Sequence, residues 1–359
     1  MVQGARVAVY GSAVRAVAER WLPELGGDGS QDFVCSPAGL WLALGAVAAG
    51  ARKETAGELR ALLGVAEADA AEAVTAAARA LAGTDALAVA TGVWSLVPVY
   101  RAYREALPGI GFGAIDPDAI DAWVRERTGG LIERLPVPLQ PDTVLALVNV
   151  LALKARWAQP FEPHRTRDAD FTDACGVRHR VPTMHRNAWP GEAWRVCGAT
   201  VVEVRCDHQG ARVRFVLGEA GAAPADVLPA AWAPGGVRSP VDAEDVAVAL
   251  PRFSVRTTID ITPQLPALGV HRATTGQADF SGLSPERLAI STVAQEAVVK
   301  VAELGVEAAA ATVVLMQPGS APRPRRIERI AFDRPFGFAV LDGTGEVPLF
   351  AGWQAQAPR

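Results

Sequence analysis

The sequence predicts a mixed α+β fold, formed as one domain over residues 1–359. Helical patterns dominate the first third of the chain, and strand patterns dominate from Val181 onward. Hydrophobic residues make up 50% of the chain, which is enough for one sizeable core. No internal repeat and no long linker divides the sequence. Helices followed by a run of strands are typical of a single α+β domain with large antiparallel sheets.

Helices are predicted early in the chain, at residues 5–22, 38–49, 52–63 and 68–82. The second follows Ser36, a good N-cap, and Pro37, a good first helical residue. Its side chains are apolar nearly all round, which places it inside the core. Gly64 is the expected C-cap of the third helix.

Strands are predicted at 86–96 and 143–153, with a helix at 118–127 between them that Gly129 and Gly130 end. The second of these strands is almost wholly apolar except for Asn149. Later strands are predicted at 201–204, 211–217, 246–249, 254–257, 294–301, 327–332, 337–341 and 348–351.

Charge and hydropathy argue against nucleic-acid and membrane partners. The formal net charge is -4, so no general attraction to polyanions or anionic lipid is expected. A local basic cluster (Arg323, Arg325, Arg326 and Arg329) is interpreted as loop solvation first, and as a protease or polyanion contact second. No apolar run reaches the roughly 18 residues of a membrane span, and the N-terminus lacks a leader pattern. The sequence as it stands predicts a cytoplasmic protein, although an additional leader could export it.

Cysteine and histidine spacing predicts neither a metal site nor a cofactor. The four cysteines (Cys35, Cys175, Cys197 and Cys206) are too few for a disulfide framework and are expected to be buried thiols. No C-x-x-C or H-x-x-x-H pair presents two ligands together. The five histidines have no G-x-S-x-G or similar nucleophile turn nearby, so an enzyme is not expected.

Residues 303–326 combine three incompatible preferences. Four alanines at 308–311 favour a helix, whereas Thr312, Val313 and Val314 favour an extended strand. The prolines and glycine that follow predict an exposed, protease-accessible loop. Taken alone, these residues fit either an ordinary alanine-rich helix start followed by a loop, or a small-residue segment able to become a strand.

Several motifs, in order along the chain, together resemble the serpin family of serine protease inhibitors. They are Phe-Val-Cys-Ser-Pro at 33–37, the segment 50–64, Ala-Trp-Val-Arg-Glu-Arg-Thr-Gly-Gly at 122–130, Leu-Val-Asn at 147–149 with Trp157 and Pro160-Phe161, and Asp-Arg-Pro-Phe-Gly-Phe at 333–338. The resemblance implies helices, three β-sheets and an exposed reactive centre loop at about 305–326. We interpret the chain as a prokaryotic inhibitory member that acts as a suicide substrate, with a non-inhibitory carrier, chaperone or storage protein as the alternative.

The resemblance also assigns residues in the loop. The implied hinge consists of Glu303, Gly305, Val306, Glu307, Ala308, Ala309, Ala310, Ala311 and Thr312. Val306 replaces the usual Thr or Ser but is uncharged and should tolerate burial. Counting from Gly305 puts the reactive bond at Gly319-Ser320, which implies a subtilisin-like or elastase-like target protease. Arg323 is the runner-up and implies a trypsin-like target; a monomer is expected.

Five residues match positions that control opening of the main sheet in serpins: Ser36, Asn149, Trp157, Arg252 and Gln295. Ser36 and Asn149 also fit simpler roles as a helix cap and a hydrogen-bonded core amide. Gln295 stands where the family usually has a histidine, so a pH switch through that position is not expected. Arg252 and Glu303 are expected to form an exposed ion pair that contributes only about 0–1 kcal/mol.

Overall fold

The computed structural model describes residues 2–82, 87–135, 138–153, 155–207, 210–306 and 326–358. The α-helices in these ranges are α1 (Val2–Gly26), α2 (Pro37–Gly50), α3 (Lys53–Leu63), α4 (Glu67–Ala82), α5 (Arg101–Glu105), α6 (Pro117–Arg127) and α7 (Pro224–Val227). The strands are β1 (Phe33–Cys35), β2 (Leu87–Ser95), β3 (Gly111–Ala114), β4 (Leu145–Leu153), β5 (Ala155–Arg156), β6 (Arg167–Thr172), β7 (Arg178–Ala188), β8 (Ala193–Val196), β9 (Ala199–Arg205), β10 (Arg212–Leu217), β11 (Ser239–Pro240), β12 (Asp245–Pro251), β13 (Phe253–Asp260), β14 (Thr292–Ala302), β15 (Gly305–Val306), β16 (Ile327–Ala331), β17 (Phe336–Leu341) and β18 (Pro348–Gln354).

Three sheets are formed by these strands, which confirms the α+β fold class. The first sheet has the order β1-β18-β17-β10-β9-β8-β11, and the second has the order β16-β12-β7-β6. The third sheet follows the order β3-β2-β4-β14-β15-β5, and β13 pairs with β14. The expectation of antiparallel sheets is correct for most pairs but wrong for β2 with β3, β4 with β14 and β12 with β16, which are parallel.

The helix α2 lies between two sheets, because it contacts β18 of the first sheet and both β2 and β4 of the third. All of its residues except Ala49 are buried, as its apolar sequence predicts. Ser36 caps the helix by accepting a hydrogen bond from the Gly39 backbone at 3.0 Å. The position of α2 brings Ser36 to the centre of the third sheet.

The helix α6 crosses the outer face of the third sheet. Its buried residues Ile120 and Val124 share an apolar cluster with Val148 and Val150 of β4. This is the helix across the main sheet that the resemblance implies, and it packs over β2 and β4 of that sheet.

Two of the four cysteines contradict the expectation of buried thiols. Cys35 and Cys206 are buried, whereas Cys175 and Cys197 are exposed. The exposed pair lies in the tight turns that join β6 to β7 and β8 to β9, where side chains face outward. Among the described residues, no helix is both long and apolar enough to cross a membrane.

Candidate functional site

The parallel strands β4 and β14 meet at the centre of the third sheet. Seven residue pairs join them, from Ala146 with Thr292 to Ala152 with Val298. The outer neighbours of these two strands, β2 and β13, are both antiparallel to them. A new strand inserted between β4 and β14 in the opposite direction would therefore replace one parallel pair with two antiparallel pairs, which are slightly more stable per residue.

A short strand, β15, already lies at one end of the β4–β14 pair. After β14 the chain turns back through Glu303 and Leu304 into β15. Val306 pairs with Val301 of β14 and with Ala155 of β5, both antiparallel. β5 begins two residues after β4 ends, so it continues the line of β4. β15 therefore lies between the continuation of β4 and the end of β14, and it has the direction that a strand inserted between them would have.

The two residues of β15 are buried, which corrects the expectation that the exposed loop starts at 305. Val306 is 0% exposed, as the prediction that it tolerates burial requires. Gly305 has φ of 151°, and a Cβ at this position would lie 2.1 Å from the carbonyl oxygen of Ala155. Only glycine combines this backbone conformation with so close an approach.

Glu303 anchors the turn before β15. Its Oε1 atom accepts hydrogen bonds from Arg252 Nε and from Thr166 Oγ1, each at 2.6 Å, and its carbonyl accepts one from the Phe161 backbone at 2.8 Å. Glu303 is 6% exposed, so the pair with Arg252 is half buried and not exposed as expected. Burial opposes ionisation, but the hydrogen bonds from Arg252 and Thr166 hold the pKa of the Glu303 carboxyl below its ordinary value.

This shift predicts how the ion pair contributes to stability with pH. Because the folded-state pKa of Glu303 is lowered, its contribution is present above the unfolded value of about 4.3 and is lost as the pH falls through the folded value. Arg252→Met should lower the free energy of unfolding by about 1 kcal/mol at pH 7, since Arg252 is half exposed. Urea denaturation of both proteins at pH 7 and pH 3 should show this difference shrinking at pH 3. In a Glu303→Gln background the Arg252 substitution should have the same small effect at both pH values, and a pH-dependent effect there would contradict the assignment.

Trp157 ties the end of β14 to the segment after β5. Its indole Nε1 donates to the carbonyl of Ala302 at 2.8 Å, and its backbone N–H donates to that of Leu304 at 3.1 Å. The residue is buried beside the turn that leads into β15. Trp157 therefore fixes the end of β14 and the turn that leads into β15.

Ser36, Gln295 and Asn149 form one buried hydrogen-bond network across the β4–β14 pair. Gln295 Oε1 accepts from the Ser36 backbone at 2.7 Å, and Gln295 Nε2 donates to the Ser36 carbonyl at 3.0 Å and to Asn149 Oδ1 at 3.1 Å. Asn149 Nδ2 donates to Thr91 Oγ1 of β2 at 2.8 Å. Ser36 Oγ donates to the Leu349 carbonyl at 2.6 Å. Ser36 is thus both a helix cap and part of this network, and Gln295 to Asn149 is a link that separation of the strands must break.

Gly39 of α2 allows this network to form. A Cβ at Gly39 would lie 1.9 Å from Asn149 Oδ1, so Gly39→Ala should displace the amide and break its bond to Gln295. We expect a loss of about 1–3 kcal/mol in the free energy of unfolding, measured by urea denaturation. Gly57→Ala is the matched control, because Gly57 lies in α3 with open space around it and should gain roughly 0.5–1 kcal/mol. Equal stability of the Gly39→Ala protein and the parent would contradict this account.

The five residues expected to control sheet opening fall into two groups along β14: Ser36 and Asn149 meet at Gln295, whereas Trp157 and Arg252 lie at its other end, beside the first hinge residues. The rest of the predicted loop lies outside the described residues. This applies to Glu307, Ala308, Ala309, Ala310, Ala311 and Thr312, and to Gly319, Ser320 and Arg323. Thr91, Thr166 and Gly39 were missed. Their positions carry no distinctive sequence pattern, and only the folded chain places them against Asn149 and Glu303.

The fold is α+β, and its third sheet carries a short strand, β15, next to the end of β14. A family model described as serpin (serine protease inhibitor) matches residues 13–356, and the chain belongs to this family. Alpha-1-antiproteinase 2 of Equus caballus is 34% identical over 241 residues, which cover 65% of this chain and 55% of the relative. The matched region thus spans about half the length of that relative.

Solved structures of serpin fold cover almost the whole chain. Serpin48 of the insect Tenebrio molitor, described as a highly specific serpin, has a TM-score of 0.80 and 26% identity over 97% of this chain and 98% of its own. Human thyroxine-binding globulin in complex with its thyroxine ligand has a TM-score of 0.82 and 22% identity over 98% of this chain and 100% of its own, which shows the fold alone. The relatives from Equus caballus, Cavia porcellus and Rattus norvegicus are mammalian proteins, so they give no support to the expected prokaryotic origin.

Proposed function

We propose that this protein inhibits serine proteases as a suicide substrate. The observation that carries the proposal is β15: the chain leading into the loop is already turned back and paired at the place where a strand between β4 and β14 would begin. Continuing that strand through residues 307–319 requires that the β4–β14 pairs separate and that the Gln295–Asn149 hydrogen bond breaks. The antiproteinase names of its relatives support a protease as the partner.

Until the loop inserts, the proposed steps are those by which a serine protease cleaves an ordinary peptide substrate. The protease serine attacks the carbonyl carbon of Gly319, the peptide bond to Ser320 breaks, and the protease histidine passes the proton to the new amine of Ser320. Residue 319 is then joined to the protease by an ester. If residues 307–319 insert before water hydrolyses this ester, the protease is carried along the sheet and its catalytic geometry is distorted. This chain supplies the peptide bond that is cleaved and the strand that inserts, and no catalytic group of its own takes part.

The residue before the cleaved bond determines which class of protease is the target. Glycine at 319 offers no side chain for a deep specificity pocket, which favours a subtilisin-like or elastase-like protease that also contacts Leu315, Met316 and Gln317. Cleavage after Arg323 would instead favour a trypsin-like protease. The longer inserting segment would then delay distortion and favour hydrolysis over trapping.

The proposal is tested by incubating the protein with a subtilisin, a pancreatic elastase and trypsin. We expect a covalent complex that survives SDS with at least one of them, and mass spectrometry should place the cleaved bond at Gly319-Ser320. A protein that is cleaved in the loop by all three proteases without forming a complex with any of them would refute inhibition. That result would favour a non-inhibitory carrier, chaperone or storage role, for which the fold shared with thyroxine-binding globulin offers a precedent.

A further inference from the structure

The segment between β15 and β16 carries its basic residues only at its far end. Residues 301–322 contain no lysine or arginine, whereas Arg323, Arg325 and Arg326 follow closely on one another. A trypsin-like protease cleaves after a basic side chain that enters its acidic pocket. By sequence, such a protease could therefore cleave three peptide bonds before β16 begins: Arg323–Pro324, Arg325–Arg326 and Arg326–Ile327.

Proline protects the first of these bonds. The nitrogen of the Arg323–Pro324 bond belongs to the proline ring, so it carries no N–H and its φ is fixed. During cleavage the protease histidine has to pass a proton to this nitrogen. The ring adds bulk where the histidine must approach, so a bond to proline is a poor substrate. This step uses the sequence alone, because residues 307–325 lie outside the described ranges.

The carboxylate of Glu244 binds the nitrogen of the second bond. The Arg326 backbone N–H donates to Glu244 Oε2 at 3.1 Å. The same nitrogen becomes the leaving group when the bond between residues 325 and 326 is cleaved. A reacting bond must lie extended in the protease cleft, in contact with the catalytic groups. Arg326 therefore has to leave Glu244 before this bond can react.

Backbone groups of Glu244 and Asp245 bind the carbonyl oxygen of the third bond. The Arg326 oxygen accepts hydrogen bonds from the Glu244 N–H at 2.9 Å and from the Asp245 N–H at 3.3 Å. A protease that cleaves Arg326–Ile327 must bind this oxygen in its own oxyanion hole. The Arg326 guanidinium is also paired with Asp242 at 2.5 Å, but this pair is largely exposed and contributes little. Glu244 is the principal contact, because it binds both backbone groups of Arg326.

The strand β16 continues directly from these contacts. It pairs with β12 from Ile327 opposite Asp245 onward, and Glu328 accepts a hydrogen bond from Arg195 at 2.5 Å. The same pairing covers Arg329, the next basic residue of the chain. Proteolysis inside a folded segment requires local opening, and its rate follows the population of the open form. Opening at Arg326 has to break both Glu244 contacts and the first pairs of β16.

We infer that Glu244 and Pro324 are specificity-determining residues that protect the arginines at the end of the loop from trypsin-like proteases. The only loop bonds left for a protease are then those before Arg323, where no basic residue occurs. The target is a protease that accepts small or apolar residues before the cleaved bond, and Arg323 is excluded as the reactive residue. This inference rests on the proposed function, because it takes the loop as the substrate of a protease.

The test is limited proteolysis of the folded protein by trypsin, with the products mapped by mass spectrometry. Glu244→Ala should raise the rate of cleavage between residues 325 and 326 about tenfold or more, because it removes the acceptor of the Arg326 N–H. Pro324→Ala should raise the rate of cleavage after Arg323 by at least about tenfold. In the parent protein both bonds should be cleaved correspondingly slowly.

Two further variants separate the local contact from a general loss of stability. Glu244→Gln should stay largely protected, because the amide oxygen can still accept from the Arg326 N–H. Glu24→Ala is the matched control, since Glu24 is an exposed glutamate on α1, and it should be cleaved as slowly as the parent. All variants should keep the parent melting temperature and the parent rate of subtilisin cleavage before Arg323.

Three results would each overturn the inference. They are rapid trypsin cleavage of the folded parent after any of the three arginines, an SDS-resistant complex of the parent with trypsin, and a Glu244→Ala or Pro324→Ala protein that is as resistant as the parent. The rates of trypsin cleavage do not depend on trapping. If no protease forms a covalent complex, the proposed function fails, while these rates still decide whether Glu244 and Pro324 protect the arginines.

Discussion

Replacing Val306 with arginine should convert the protein from an inhibitor into a substrate. Val306 is fully buried between β5 and β14, and burying an unpaired charge there costs several kcal/mol. Arginine should therefore expel β15 from the sheet in the intact protein, so that residue 306 has to be buried again, with its charge, before the loop can insert after cleavage. Each 1.4 kcal/mol added to the insertion barrier slows insertion about tenfold, whereas hydrolysis of the ester is unaffected. We therefore expect the number of inhibitor molecules consumed per protease to rise by about tenfold or more and the SDS-resistant complex to disappear.

Val306→Thr is the matched control for this experiment. Threonine keeps the β-branched shape and has no charge, so both β15 and insertion should survive and the complex should still form. The initial rate of loop cleavage should be similar in the two variants, since position 306 is 13 residues before Gly319 in the sequence. An arginine variant that still traps protease one to one would show that β15 does not have to stay in the sheet.

Much of the fold follows from local patterns that the tertiary structure does not override. The predicted helices differ from α1, α2, α3, α4 and α6 by a few residues at the ends, because Ser36, Pro37 and Gly64 mark boundaries in the sequence itself. The strand β6 was missed because its sequence, Arg-Asp-Ala-Asp-Phe-Thr, has only one fully buried side chain, Phe171. It is an edge strand whose pairing depends on β7 and not on its own hydrophobicity.

The sequence predicted individual residues of the candidate site but not the contacts between them. Asn149 and Gln295 stand out as amides in apolar strands, and the structure joins them directly across the β4–β14 pair. The depth of the Glu303 pair was not predictable, because it depends on Phe161 and Thr166 closing over a turn distant in sequence. The pairing of β15 was not predictable either, since two residues show no periodicity.

Cleavage of the loop should raise the melting temperature by roughly 15 °C. Insertion of residues 307–319 would bury about half of their side chains against the core, or roughly seven at about 1 kcal/mol each, and each kcal/mol corresponds to about 2 °C for a chain of this size. The gain would also include the exchange of the parallel β4–β14 pair for two antiparallel pairs. Calorimetry before and after limited proteolysis measures the shift, with the site of cleavage mapped by mass spectrometry. Nicked Val306→Arg should show little or no gain, because the charge keeps the strand out. If the nicked parent protein melts no higher than the intact one, the strand does not insert, and the free energy that trapping requires is missing.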